Sequence, residues 1–169
     1  GLRKVPILFI EADGVMVGCQ RGSASKLEIK LGAVCEGWEE AGNRRKLKRP
    51  TTMIGLFDGG DEFWETLTAQ LAKVYDLTDT QIVINGDGAA WIQSTSKEYF
   101  ADALIQLDRY HLVRDLRFTV GAKATIDLLA QLGKGDVDVF VDTLEAMGPV
   151  VAEERQDVHK KLVNLWKRY

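Results

Sequence analysis

Apolar residues run unbroken through Ile7-Leu8-Phe9-Ile10 and again through Ile82-Val83-Ile84, and each run closes on a carboxylate, Asp13 in EADGV and Asp87 in NGDGA. Short unbroken apolar runs bounded by turn residues predict strands buried on both faces. With a period of two, Phe9, Glu11 and Asp13 share one face of the first strand, and Leu8, Ile10 and Ala12 share the other. Asn85 and Gly86 predict the end of the second strand. The helical pattern that begins near Ala90 then makes a strand, turn and helix with Asp87 at the strand's mouth, where open α/β sheets carry their chemistry. Gly88 lets backbone come close to whatever Asp87 holds. The competing reading of Asp87 is a helix cap.

The rest of the chain follows the same periodicities. Gly18 to Ser25 reads as a turn, and Leu27, Ile29, Leu31 and Ala33 alternate with Glu28 and Lys30 as in a half-buried antiparallel strand, so residues 1–35 predict a hairpin. Thr51 to Phe57 predicts a third strand, and Asp58 to Asp61 a turn and N-cap. Phe63, Leu67, Leu71 and Val74 then mark an amphipathic helix, with Trp64 beside that stripe in the core. Ala101 to Leu107 predicts a last strand. From His111 onward the signals are helical, with Leu112, Val113, Leu116 and Val120 on one face and a stop at Gly121. Two further helical stripes follow, Val137, Phe140, Val141 and Leu144, then Val158, Leu162, Leu165 and Trp166. This order predicts an α/β domain with a mixed five-stranded sheet flanked by helices over residues 1–120 and a helical segment over 121–169.

Composition changes this picture little. The 169 residues are 46% apolar and 28% charged, ordinary for a globular domain, and the net charge of −3 gives no global sign of a polyanion binder. A nucleic-acid surface must therefore be local, and Arg44, Arg45, Lys46, Lys48 and Arg49 form the one dense basic run. They read either as phosphate contacts or as a solvated loop between strands. Cys19 and Cys35 have no metal-site spacing, and no run reaches the ~20 apolar residues of a membrane span, so the expectation is a reduced, cytoplasmic chain with no membrane partner. Gly1 in place of Met and the helical pattern still running at Tyr169 suggest a piece of a longer protein.

Two aspartates at neighbouring strand ends are costly to bury unless a cation balances them. With no Lys or Arg beside either in sequence, a hard divalent ion held by oxygen, Mg²⁺ or Mn²⁺, is the expected partner.

Three motifs in order, IEADGV at 10–15, INGDGAAWI at 84–92 and DRYH at 108–111, resemble the catalytic domain of bacterial insertion-sequence transposases of the Mutator-like superfamily, most closely the ISLre group. The resemblance implies a ribonuclease-H-like core with an Asp, Asp and Glu triad and a helical insertion before the Glu. By position Asp13 is similar to the first catalytic Asp and Asp87 to the second. Asp108 with His111 is similar to the Asp-x-x-His signature after the fifth strand. It further implies DNA, both transposon ends and target, as partner, a homo-oligomer in the full-length protein, and cleavage and strand transfer with two ions about 3.5–4 Å apart. The third carboxylate is expected beyond residue 169, within or after an insertion present here only in part, so the fragment is expected to lack a complete site. Glu145, Glu153 and Glu154 read as solvated helix residues.

His111 could contact the scissile phosphate or serve as a hydrogen-bonded structural residue. Glu11 could support a metal ligand or sit at the surface. His159 reads as helix surface. The rival enzyme class is a haloacid-dehalogenase-like phosphatase, whose chemistry needs an Asp where Glu11 stands and a second acid after Asp87, where Gly88, Ala89 and Ala90 stand. A catalytically inactive interaction module is the other alternative, and it predicts no metal dependence.

Overall fold

The computed structural model describes residues 1–20 and 26–167, so most of the predicted turn at 18–25 lies outside the described residues. The chain divides into two compact units, Gly1–Asp108 and Arg109–Tyr169.

In the first unit β1 (Ile7–Gly18), β2 (Lys26–Cys35), β5 (Thr51–Leu56), β6 (Gln81–Gly86) and β7 (Leu104–Leu107) form one sheet in the order β5-β2-β1-β6-β7. The mixed five-stranded sheet matches the expectation from alternation. β1 is antiparallel to β2 and β2 to β5, whereas β1, β6 and β7 run parallel. A separate two-stranded sheet pairs β3 (Trp38–Ala41) with β4 (Arg44–Leu47). The helices are α1 (Gly60–Leu71) and two single turns, α2 (Ala90–Gln93) and α3 (Ser96–Tyr99).

One face of the sheet is closed by α1. Leu8, Ile10, Val34, Met53, Ile82 and Ile84 pack there against Phe63, Trp64, Leu67 and Leu71. Trp64 is core, as predicted. Val74 is not on the buried stripe: α1 ends at Leu71 and Val74 is half exposed. The predicted turn at Asp58 to Asp61 does carry the cap. Gly59 occupies the N-cap position, and the Glu62 carboxylate reaches back to accept the Asp58 N–H, half of a capping box shifted by one residue.

The alternation in β2 points the opposite way from the prediction. Lys30, Gly32 and Val34 lie on the α1 side and are buried, while Ile29, Leu31 and Ala33 lie on the other face and are only half buried. Register imposes this, because Gly32 pairs with Ala12 and Val34 with Ile10. Lys30, 4% exposed, pairs with Glu28 at 2.6 Å and lies over the Trp91 ring, 5.3 Å from its centre.

The second unit is helical: α4 (Arg109–Gly133), α5 (Val137–Ala146) and α6 (Gln156–Trp166), with short 3₁₀ turns at Gly148–Val150 and Glu153–Arg155. Gly121, with φ 83° and ψ 169°, kinks α4 where a stop was predicted. Leu116, Leu128, Phe140 and Leu144 are fully buried, and Phe140 meets Trp166 edge to face at 4.9 Å. His159 is not surface: it is 3% exposed, with Nε2 2.7 Å from the Leu144 carbonyl oxygen. Glu145, Glu153 and Glu154 are exposed, as expected.

Candidate functional site

The parallel ladder between β1 and β6 ends with Ala12 opposite Gly86, so Asp13 and Asp87 are the residues that directly follow it on the two chains. The ladder between β6 and β7 ends with Gly86 opposite Leu107, and the Asp108 N–H donates to the Gly86 carbonyl at 2.7 Å. Asp108 therefore takes the corresponding position on the third strand. Asp13, Asp87 and Asp108 thus each follow directly on the last residue of the parallel ladders, Asp87 and Asp108 at strand ends and Asp13 within the longer β1.

Asp13 and Asp87 are held differently. Asp13 lies inside β1, which continues to Gly18 against β2, so its backbone is fixed by the ladder; its Oδ1 accepts the Gly14 N–H at 2.8 Å. Asp87 follows β6 at a bend, and its Oδ1 accepts the Ala89 N–H at 2.9 Å, which shapes the turn into α2. Asp87 thus does have a local turn-forming role. Among the described residues neither aspartate is in an ion pair. Glu11 shares the face of Asp13 and is exposed.

Asn85 and Gly86 are the last two paired residues of β6, which ends there as predicted. A Cβ on Gly86 would stand 2.7 Å from Ile92 Cγ2 and 3.2 Å from the Ala12 carbonyl oxygen, so glycine is required by the close approach of α2 to the strand end. Gly88, at φ 89°, supplies the left-handed step that returns the chain into α2. The returning turn is fastened from below, where Trp64 Nε1 donates to the Trp91 carbonyl oxygen at 2.6 Å.

His111 lies in the first turn of α4, in the second unit, with its ring 5.5 Å from that of Tyr110 and edge-on to it. It is half buried.

The basic run is only in part a loop between strands, Lys48 and Arg49 lying between β4 and β5. Arg44, Arg45 and Lys46 belong to β4, where Arg45 faces Glu40 and Lys46 faces Glu39 across the hairpin. Lys48 and Arg49 approach Glu36, whose carboxylate is 2% exposed and also binds Arg3 through Nε at 2.6 Å and Nη2 at 3.1 Å and the Tyr75 hydroxyl at 3.2 Å. The Arg3 hydrogen bonds, followed by the Arg3 charge, the Tyr75 hydroxyl and Lys48, outweigh desolvation and hold the Glu36 carboxyl below its ordinary range. Burial, reinforced by the Glu36 charge, pushes the Tyr75 phenol up. Sequence reasoning missed both the hairpin and this cluster. The hairpin was legible as Gly42-Asn43 between short runs of opposite charge; Glu36 carried no signal, since its partners come from residues 3, 48, 49 and 75.

Among the described residues no group of three or more His, Cys, Asp or Glu side chains is arranged to hold a metal ion. Two carboxylates that directly follow the last pair of the β1–β6 ladder, each with one oxygen engaged by a backbone N–H, fit part of an oxygen shell for a hard divalent cation. No described helix is long and apolar enough to cross a membrane.

Residues 1–168 match the model of the Uncharacterised protein family (UPF0236). A curated relative, "UPF0236 protein in vanSb 3'region" of Streptococcus gallolyticus, is 29% identical over 154 residues, which covers 86% of this chain and 34% of the relative. The chain thus spans about a third of the length of that relative.

Proposed function

The chain belongs to the Uncharacterised protein family UPF0236, and on that premise we propose that it is the catalytic-core segment of a DNA transposase with a ribonuclease-H-like fold, cleaving and joining phosphodiesters with a divalent ion. One observation carries this reading: Asp13 and Asp87 each directly follow Ala12 and Gly86, the last pair of the parallel ladder between adjacent strands. The strand order β5-β2-β1-β6-β7, with its antiparallel half and parallel half, also supports it.

In this reading Asp13 and Asp87 hold Mg²⁺ or Mn²⁺. The bound ion supplies activation of a water or 3′-hydroxyl and charge stabilisation at the leaving oxygen. The protein's own contribution is placement. Asp13 is held by its pairing with β2, one residue past the ladder with β6, and Asp87 sits in a turn leading into α2, which is tied to α1 through Trp64 and Trp91. Asp108 stands at the third strand end, and His111, one turn on, is assigned to the scissile phosphate. The remaining carboxylate of the triad is assigned to a part of the protein outside residues 1–169. Arg44, Arg45, Lys46, Lys48 and Arg49 are assigned to the DNA backbone, Lys48 and Arg49 sharing their charge with Glu36.

The test is a Mn²⁺ titration of the chain read by paramagnetic broadening of backbone amides. The expected result is simultaneous loss of the Asp13, Gly14, Asp87 and Ala89 signals, abolished at both strands by Asp13→Asn or by Asp87→Asn. Broadening at only one strand, or broadening unaffected by both variants, would sink the proposal. In the full-length protein either Asp→Ala variant is expected to abolish strand cleavage.

A further inference from the structure

The first half of α4 carries a surface that the motif reading did not use. Arg109, Tyr110, Val113, Arg114 and Arg117 line an open groove of about 590 Å³. At 100° per residue they fall within an arc of about 140°. The buried residues of the same segment, Leu112, Leu116 and Thr119, fall in a separate arc of about 60° that adjoins the stripe at Arg109. The stripe is therefore a distinct outward face.

Its chemistry is specific. Arg109 and Arg117 are exposed, and Tyr110 presents a ring that is 70% exposed. Arg114 pairs with Asp115 at 2.6 Å, the one acid between Arg109 and Gly121, against three arginines. Arg155 borders the stripe, its guanidinium 5.4 Å from the centre of the Phe118 ring. In a chain of net charge −3, arginines concentrated on one helix face around an exposed aromatic ring are the complement of a polyanion that also offers flat, stackable groups.

We propose that the Arg109–Arg117 face of α4 is a nucleic-acid contact surface, with Arg109 and Arg117 on two separate backbone phosphates and Tyr110 stacked on an unpaired base. The choice of DNA as the polyanion rests on the transposase reading; the stripe itself does not.

The experiment is fluorescence anisotropy of labelled 20-nucleotide DNA, single-stranded and duplex, titrated with the whole chain in EDTA across a salt series. For duplex, R109Q/R117Q is expected to flatten the slope of log K against log salt by about 1.8 and to weaken binding about tenfold at low salt. R109K/R117K keeps the wild-type slope, which separates charge from fold. Tyr110→Ala is expected to weaken single-strand binding about tenfold and leave duplex binding unchanged. An unchanged slope in R109Q/R117Q, or no DNA binding by the wild-type chain, overturns the proposal. So does a preference for anionic phospholipid vesicles over DNA. Because EDTA removes any metal, DNA binding through α4 without Mn²⁺ broadening at Asp13 and Asp87 would defeat the transposase reading alone.

Discussion

Trp64 donates its indole N–H to the main-chain oxygen of Trp91 at 2.6 Å, and so ties the buried face of α1 to the turn that carries Asp87. Both rings also meet Phe63, at 5.1 and 5.0 Å between ring centres. Trp64→Phe keeps an aromatic in the core but leaves the Trp91 carbonyl unpaired, and is expected to cost about 1–3 kcal/mol by urea unfolding. Amide exchange at Gly88 and Ala89 should accelerate by more than the global loss of stability accounts for. Uniform acceleration would mean that the bond supports the core and not the turn.

Gly86→Ala places a methyl group 2.7 Å from Ile92 Cγ2. The expected destabilisation is about 1–3 kcal/mol from overpacking. Ile92→Ala in the same chain should give a coupling energy of about 1 kcal/mol or more in a double-mutant cycle, because it removes the clashing group. Simple additivity of the two substitutions would place the strain elsewhere.

Glu36 predicts a pH dependence. Its folded carboxyl is held low, chiefly by the Arg3 hydrogen bonds, so its stabilising contribution is present above the ordinary carboxylate range and is lost as pH falls through the folded value. Stability against urea should therefore drop on the acid side below about pH 4.5, the ordinary value for a glutamate. Glu36→Gln should flatten that drop while lowering stability near pH 7. A parallel acid profile in the variant would assign the drop to other carboxylates.

The β3–β4 hairpin makes two roles for the basic run separable. Arg45 and Lys46 face Glu40 and Glu39, so reversing both charges should destabilise the hairpin by about 0.2–1 kcal/mol per pair. If the run also contacts DNA, Arg44→Gln with Arg45→Gln should flatten the salt slope of duplex binding by about 1.8. An unchanged slope would leave Arg44 and Arg45 as cross-strand partners only. Lys48 and Arg49 are poor probes, because neutralising either also strips charge from around Glu36.

The sequence by itself determined the elements whose causes are local. The strands at Ile7–Ile10 and Ile82–Ile84, the stripe Phe63, Leu67 and Leu71, and the break at Gly121 each follow from side-chain periodicity or backbone freedom within a few residues. The position of Asp87 just past the end of β6 was legible for the same reason, whereas Asp13 lies inside a strand that continues to Gly18. Only the tertiary structure decided which face of β2 is covered. Phe63 approaches so closely that a Cβ on Gly32 would lie 2.9 Å from its ring, so at that crossing the covered side of β2 carries a glycine, paired with Ala12 on β1. The bulkier Ile29 and Leu31 fall on the other side, which is why hydropathy alone pointed the wrong way. The burial of Glu36 and His159 was likewise decided by partners distant in sequence, Arg3 and Tyr75 for the first and the Leu144 carbonyl for the second. A polar side chain can be buried only when such partners satisfy it, and no local pattern records whether they will arrive.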